Sequence, residues 1–121
     1  MSMNAAYKPE DLVPPPRAAG DPEAEVAQRL AQAVELLRHE QIEEAEQALS
    51  GVLRDQPGQP DALHFLGVVR HAQGRSDEAV LLIRTALAHV PEHGGAWNNL
   101  GNVLLSAGRI DEATDAYERG V

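Results

Sequence analysis

The chain of 121 residues contains no cysteine. That excludes a disulfide scaffold, a thiol nucleophile and every zinc site that needs sulfur. Aromatics are scarce, with one Trp, one Phe and two Tyr, so a core must be built from Ala, Leu, Val and Ile. Small aliphatic residues suit closely spaced helices better than strands, which favour aromatic and β-branched side chains. Positive charge is short as well: ten Lys and Arg stand against nineteen Asp and Glu, a net charge of −9. Such a chain is repelled by phosphate backbones and anionic lipid, so neither nucleic acid nor membrane is expected as a partner. No apolar run approaches the roughly 18–20 residues of a membrane helix. Met1 to Glu10 lacks the basic flank and apolar stretch of a secretion signal. A cytoplasmic protein is expected.

Catalytic motifs are missing too. There is no G-x-S-x-G elbow, phosphate loop or dinucleotide fingerprint. Ser50, Ser76 and Ser106 have no base partner at motif spacing. The carboxylates, such as Glu43, Glu44, Asp77, Glu78, Asp111 and Glu112, fall on solvent faces of helical patterns. No catalytic residue and no cofactor are assigned, and the chain is not expected to be an enzyme.

Five histidines remain. His64 and His71 share a helix face but stand about 10 Å apart along the axis, too far for one ion. His89 and His93 are spaced i, i+4, but Pro91 between them ends the helix. No metal site is expected.

What is present is a repeat. Residues 1–20 hold Pro9, Pro14, Pro15, Pro16 and Gly20 without a helical period, which gives a flexible tail over 1–21 and a helical domain over 22–121. Asp21-Pro22-Glu23 reads as a helix start, with Asp21 as cap and Pro22 in the first position. A shift of 34 residues then sets Leu66-Gly67 on Leu100-Gly101, Gly74-Arg75 on Gly108-Arg109, and Asp77-Glu78-Ala79 on Asp111-Glu112-Ala113. The apolar sets Ala45, Ala48, Leu49, Val52; Ala79, Leu82, Ile83, Ala86; and Ala113, Ala116, Tyr117, Gly120 each mark one helix face. Gly67 and Gly101 let paired helices approach closely, Gly74 and Gly108 stop the first helix of a pair, and Ser76-Asp77 starts the second. The pattern predicts an all-α chain of three antiparallel helix pairs: 22–39 with 42–55, 60–73 with 76–89, and 94–107 with 110–121.

Trp97-x-x-Leu100-Gly101, followed by Gly108, Ala113 and Tyr117, resembles the tetratricopeptide repeat. Leu63, Leu66, Gly67, Gly74, Ala79, Ile83, Ala86 and Pro91 match the same pattern in the preceding repeat. The first repeat is degenerate, with Arg29 and Gln32 where Leu63 and Leu66 stand. Three repeats are expected, near 24–59, 60–93 and a truncated 94–121. The resemblance implies a right-handed superhelical solenoid whose concave groove, lined by the first helix of each pair, binds a peptide or protein segment.

Groove residues expected from this register are His64, Val68 and His71 in the second repeat, Asn98, Asn99 and Asn102 in the third, and Leu30, Val34 and Leu37 in the first. An amide offers a donor and an acceptor, so it can pair with any peptide backbone. The asparagine run is similar to repeats of O-GlcNAc transferases and of bacterial glycosyltransferases and sulfotransferases. It implies a second reading, in which the chain is the N-terminal recognition segment of a larger enzyme. The alternative for Asn99 and Asn102 is that they bridge neighbouring helices. The chaperone-binding members hold a C-terminal carboxylate with Lys, Arg and Asn; the matching positions Leu30, Val34, Phe65, Gly95 and Asn99 contain no cation, which disfavours that ligand. Nothing polar caps the last helix, so its face with Ala113, Tyr117 and Val121 is expected to support a weak homodimer, opposed by the net charge.

Overall fold

The computed structural model describes residues 21–121. The segment expected as a flexible tail, apart from Asp21, lies outside the described residues. Six helices follow: α1 (Pro22–Arg38), α2 (Ile42–Asp55), α3 (Pro60–Ala72), α4 (Ser76–His89), α5 (Gly94–Ser106) and α6 (Ile110–Arg119). They begin at the expected residues, and α1, α3, α5 and α6 stop one or two residues early. No strand occurs among the described residues, and none of these helices is long and apolar enough to cross a membrane.

Helix starts differ between the two helices of a pair. The first helices are capped by side chains: Asp21 Oδ1 accepts from Glu23 N at 3.0 Å, Gln59 Oε1 from Ala62 N at 2.7 Å, and His93 Nδ1 from Ala96 N at 3.2 Å. The second helices begin after Gln41, Arg75 and Arg109, none of which makes a side-chain cap. As expected, Ser76 and Asp77 start α4, Ser76 as its first helical residue, and the carboxylates beside it face the positive end of the helix dipole.

The turn inside each pair is the same Schellman turn three times. Gln41 N bonds Leu36 O at 2.8 Å, Arg75 N bonds Arg70 O at 2.8 Å, and Arg109 N bonds Leu104 O at 2.9 Å. This turn needs a left-handed residue. Gly74 and Gly108 supply it at φ 80°, and Glu40 supplies it in the degenerate repeat at φ 60°.

Consecutive helices pack on each other, and α1 also touches α3, as α3 touches α5. Among the described residues, α2, α4 and α6 make no such direct contact with one another. One row of helices is therefore tight and the other splayed, which curves the stack with α1, α3 and α5 on the inner side. The close approach of the two helices within the second and third pairs depends on missing side chains. A Cβ on Gly67 would lie 2.6 Å from Ile83 Cγ1, and one on Gly101 would lie 2.6 Å from the Tyr117 ring. The core runs along the stack in two apolar clusters. Val26, Ala33, Ala45, Leu49, Val52 and Val69 belong to the first; Ala79, Ile83, Leu100, Val103, Leu104 and Ala113 belong to the second. The described residues thus form an all-α helical solenoid of three antiparallel helix pairs.

Candidate functional site

The inner row decides which expected residues meet a ligand. On α5, Asn98 and Asn102 are exposed one turn apart, both on the side facing α6. Asn98 stands beside Gly120, where a Cβ would collide with its Oδ1. Asn102 Oδ1 accepts the Tyr117 hydroxyl at 2.5 Å, which leaves its amide N–H groups free. Asn99 lies about 100° round the helix and points the other way, to α3. Its Nδ2 is 2.6 Å from His64 Nε2. The three amides therefore split, and Asn99 bridges neighbouring repeats. Val34, Leu37, Val68 and His71 are half-buried on α1 and α3, and Leu105 of α5 is half exposed.

Two of the expected groove residues are corrected. His64 is 2% exposed, so it offers a ligand almost no surface. Phe65 stacks on its ring at 4.7 Å between centroids, and His93 meets it edge-on at 5.2 Å. Leu30 is buried with Val26 and Ala33 in the first apolar cluster. A helical period assigns a stripe, but it does not see the repeat that covers it.

The third correction concerns self-association. Ala113 is 1% exposed against α5 and presents nothing to a second chain. Tyr117 is half-buried on Gly101, and of the three residues only Val121 is fully exposed.

Around His64 the structure assembles groups that lie far apart in sequence. One ring nitrogen of His64, one of His93 and one Asp61 carboxylate oxygen lie within 4.8 Å of one another. His93 Nε2 faces Asp61 Oδ1 at 3.2 Å. Burial pushes the His64 ring down to a pKa of about 4, with the neighbouring His93 adding to the shift and Asp61 opposing it. No sequence motif marks this cluster, because His93 enters from the cap of the next repeat.

A second feature was also absent from the sequence reading. A cleft of about 550 Å³ opens between α4, α5 and α6, with Leu87, Trp97, Leu100, Leu104 and Ala116 among its lining residues. Arg84 pairs with Glu112 at 3.0 Å across it, and Arg119 lies 5.3 Å from the centre of the Trp97 ring.

The sequence matches the tetratricopeptide repeat family over residues 30–88 and 72–121. A peroxisomal targeting signal receptor of Eremothecium gossypii is 36% identical over 62 residues, 51% of this chain and 11% of the receptor. Among solved structures, pilF of Pseudomonas aeruginosa superposes with a TM-score of 0.77 at 23% identity, over 82% of this chain and 45% of that one. The Sgt2 TPR domain from Aspergillus fumigatus gives 0.72 at 21% identity, over 79% of this chain and 64% of that one. The chain thus spans a small part of the receptor and less than two thirds of either solved relative, and the structural likenesses show the fold.

Proposed function

We infer, from the premise that this chain belongs to the tetratricopeptide repeat family of protein-interaction modules, that its inner face binds an extended segment of a partner protein. The observation that carries the reading is the pairing of surfaces along the inner row. Asn98 and Asn102 offer exposed amides on α5, and Val34, Leu37 and Val68 offer half-buried apolar contacts on α1 and α3. An extended peptide presents backbone donors and acceptors along its length and side chains to alternate sides. Amides would take the backbone, and the apolar positions would select side chains. His71 is half-buried on α3, one turn beyond Val68. His64 acts behind this face by holding Asn99.

The reading as the recognition segment of a glycosyltransferase or sulfotransferase has less support. The asparagine run that suggests it does not stay whole, because Asn99 turns to His64.

Peptides selected from a random display library test the reading by calorimetry. Losing one amide hydrogen bond costs about 0.5–1.5 kcal/mol, so Asn102→Ala should weaken a selected peptide roughly three- to tenfold. Tyr117 keeps water as a partner, and helicity should hold. Glu43→Ala on the exposed face of α2 should change nothing. Equal affinity of the Asn102 variant and the wild type would remove the amide face from the interface.

A further inference from the structure

We propose that Asp61, His64 and His93 form a binding site for a divalent first-row metal ion of the imidazole-preferring kind, with Zn²⁺ as its probe. The ion would clasp the second repeat to the third. The three candidate ligand atoms lie within 4.8 Å of one another and come from the first turn of α3, its second turn and the cap of α5. Two imidazoles and one carboxylate are a ligand set that zinc accepts, with the fourth position left to water.

The individual nitrogens fit this use. His64 Nε2 is engaged by Asn99 at 2.6 Å and His93 Nδ1 by Ala96 N at 3.2 Å. The nitrogens left over are His64 Nδ1 and His93 Nε2. His64 Nδ1 is buried and has no hydrogen-bond partner, on a side chain that is 2% exposed overall. Such an atom calls for a partner that the protein does not supply. His93 Nε2 already stands 3.2 Å from Asp61 Oδ1. The edge of a tetrahedron around zinc, with ligand bonds of about 2.0–2.1 Å, is about 3.3 Å.

The protons can be accommodated. In the metal-free protein His93 Nδ1 accepts from Ala96, so Nε2 carries the ring proton and points it at Asp61. Binding moves that proton to Nδ1, which breaks the Ala96 N–H···Nδ1 cap bond, since two donors cannot share it. Ala96 N keeps its 3.1 Å bond to His93 O, so the start of α5 retains an acceptor. At His64, turning the Asn99 amide over presents Oδ1 to an Nε2 proton and frees the Nδ1 lone pair. An amide that orients a ligating imidazole through its other nitrogen is the usual outer support of such sites. Access is open on one side, where the His93 and Asp61 side chains are 33% and 44% exposed. The net charge of −9 raises the local concentration of cations.

The experiment titrates Zn²⁺ and Co²⁺ into the tag-free, chelator-stripped full chain. The expected result is one ion per chain, a visible Co²⁺ absorption band of four-coordinate character, and a thermal midpoint that rises with Zn²⁺ concentration. Asp61→Asn and His93→Gln, at partly exposed positions that should leave the fold intact, should each weaken Zn²⁺ binding about tenfold or more. A double variant of the exposed His39 and His89 to Gln should bind as the wild type does. No saturable uptake, or an affinity unchanged in either Asp61→Asn or His93→Gln, overturns the proposal.

Discussion

Acid should destabilise this protein through His64 before its carboxylates contribute. In the chelator-treated protein, the buried ring titrates at about 4, against about 6.5 in an unfolded chain. Between those two values the unfolded state binds more protons than the folded one, so stability rises with pH across this window. Its share is fully present above pH 6.5 and is lost as pH falls toward 4. The full shift corresponds to about 3 kcal/mol, of which about 2 kcal/mol is lost between pH 7 and pH 5. Glu46 and Glu112 are both held below the ordinary carboxylate range. For Glu46 the cause is hydrogen bonds from Gln73 and Arg70; for Glu112 it is those from Arg109 and Arg84. Their contributions are present above about 4.5 and are lost only at lower pH, so the two windows separate. The assay is urea denaturation at pH 7, 6 and 5. A domain of this size loses roughly 1–3 kcal/mol per molar urea, so the wild-type midpoint should fall by roughly 1 M from pH 7 to pH 5. His64→Gln lowers stability at pH 7 but should flatten the pH dependence. The difference between the two slopes isolates this ring from the other histidines. Parallel slopes in wild type and variant would falsify the assignment of the buried neutral imidazole.

Two backbone substitutions probe the contact within a helix pair and the turn that joins one. Gly67→Ala gains about 1 kcal/mol of helix propensity. Its new Cβ, however, would stand 2.6 Å from Ile83 Cγ1 and 3.1 Å from Ala79 O. Overpacking costs about 1–3 kcal/mol, so the melting temperature should drop by several degrees; a rise would show that α3 and α4 are not in close contact. Glu40→Gly should do the opposite, because Glu40 sits at φ 60° where the other two repeats have glycine. Relief of the left-handed strain, about 1–2 kcal/mol, outweighs the added freedom of the unfolded chain. A net gain of about 0.5–1 kcal/mol in urea denaturation is the expected outcome, and any loss of stability would show that the turn is unstrained.

The fold was legible because its determinants are local. A helix face repeats within seven residues, the stop signals at Gly74 and Gly108 sit beside the helices they end, and the 34-residue period multiplies each signal. Even the one non-glycine turn is readable from the shift alone, since Glu40 aligns with Gly74. The site was less legible because its contacts join consecutive repeats. Asp61 meets His93 across 32 residues, His64 meets Asn99 across 35, and Arg84 meets Glu112 across 28. A test of spacing within one helix separates His64 from His71 correctly but never sets His93 beside His64. It also places His64 on an open stripe, because the residues that cover it are counted as belonging to another helix. The signal that would have found the cluster lies in the repeat itself. In a stack where each unit contacts its neighbours, chemically matched side chains about one period apart are the natural contact candidates. Asp61 with His93 and His64 with Asn99 satisfy that rule, whereas His89 with His93, the pair that helix spacing brought forward, does not.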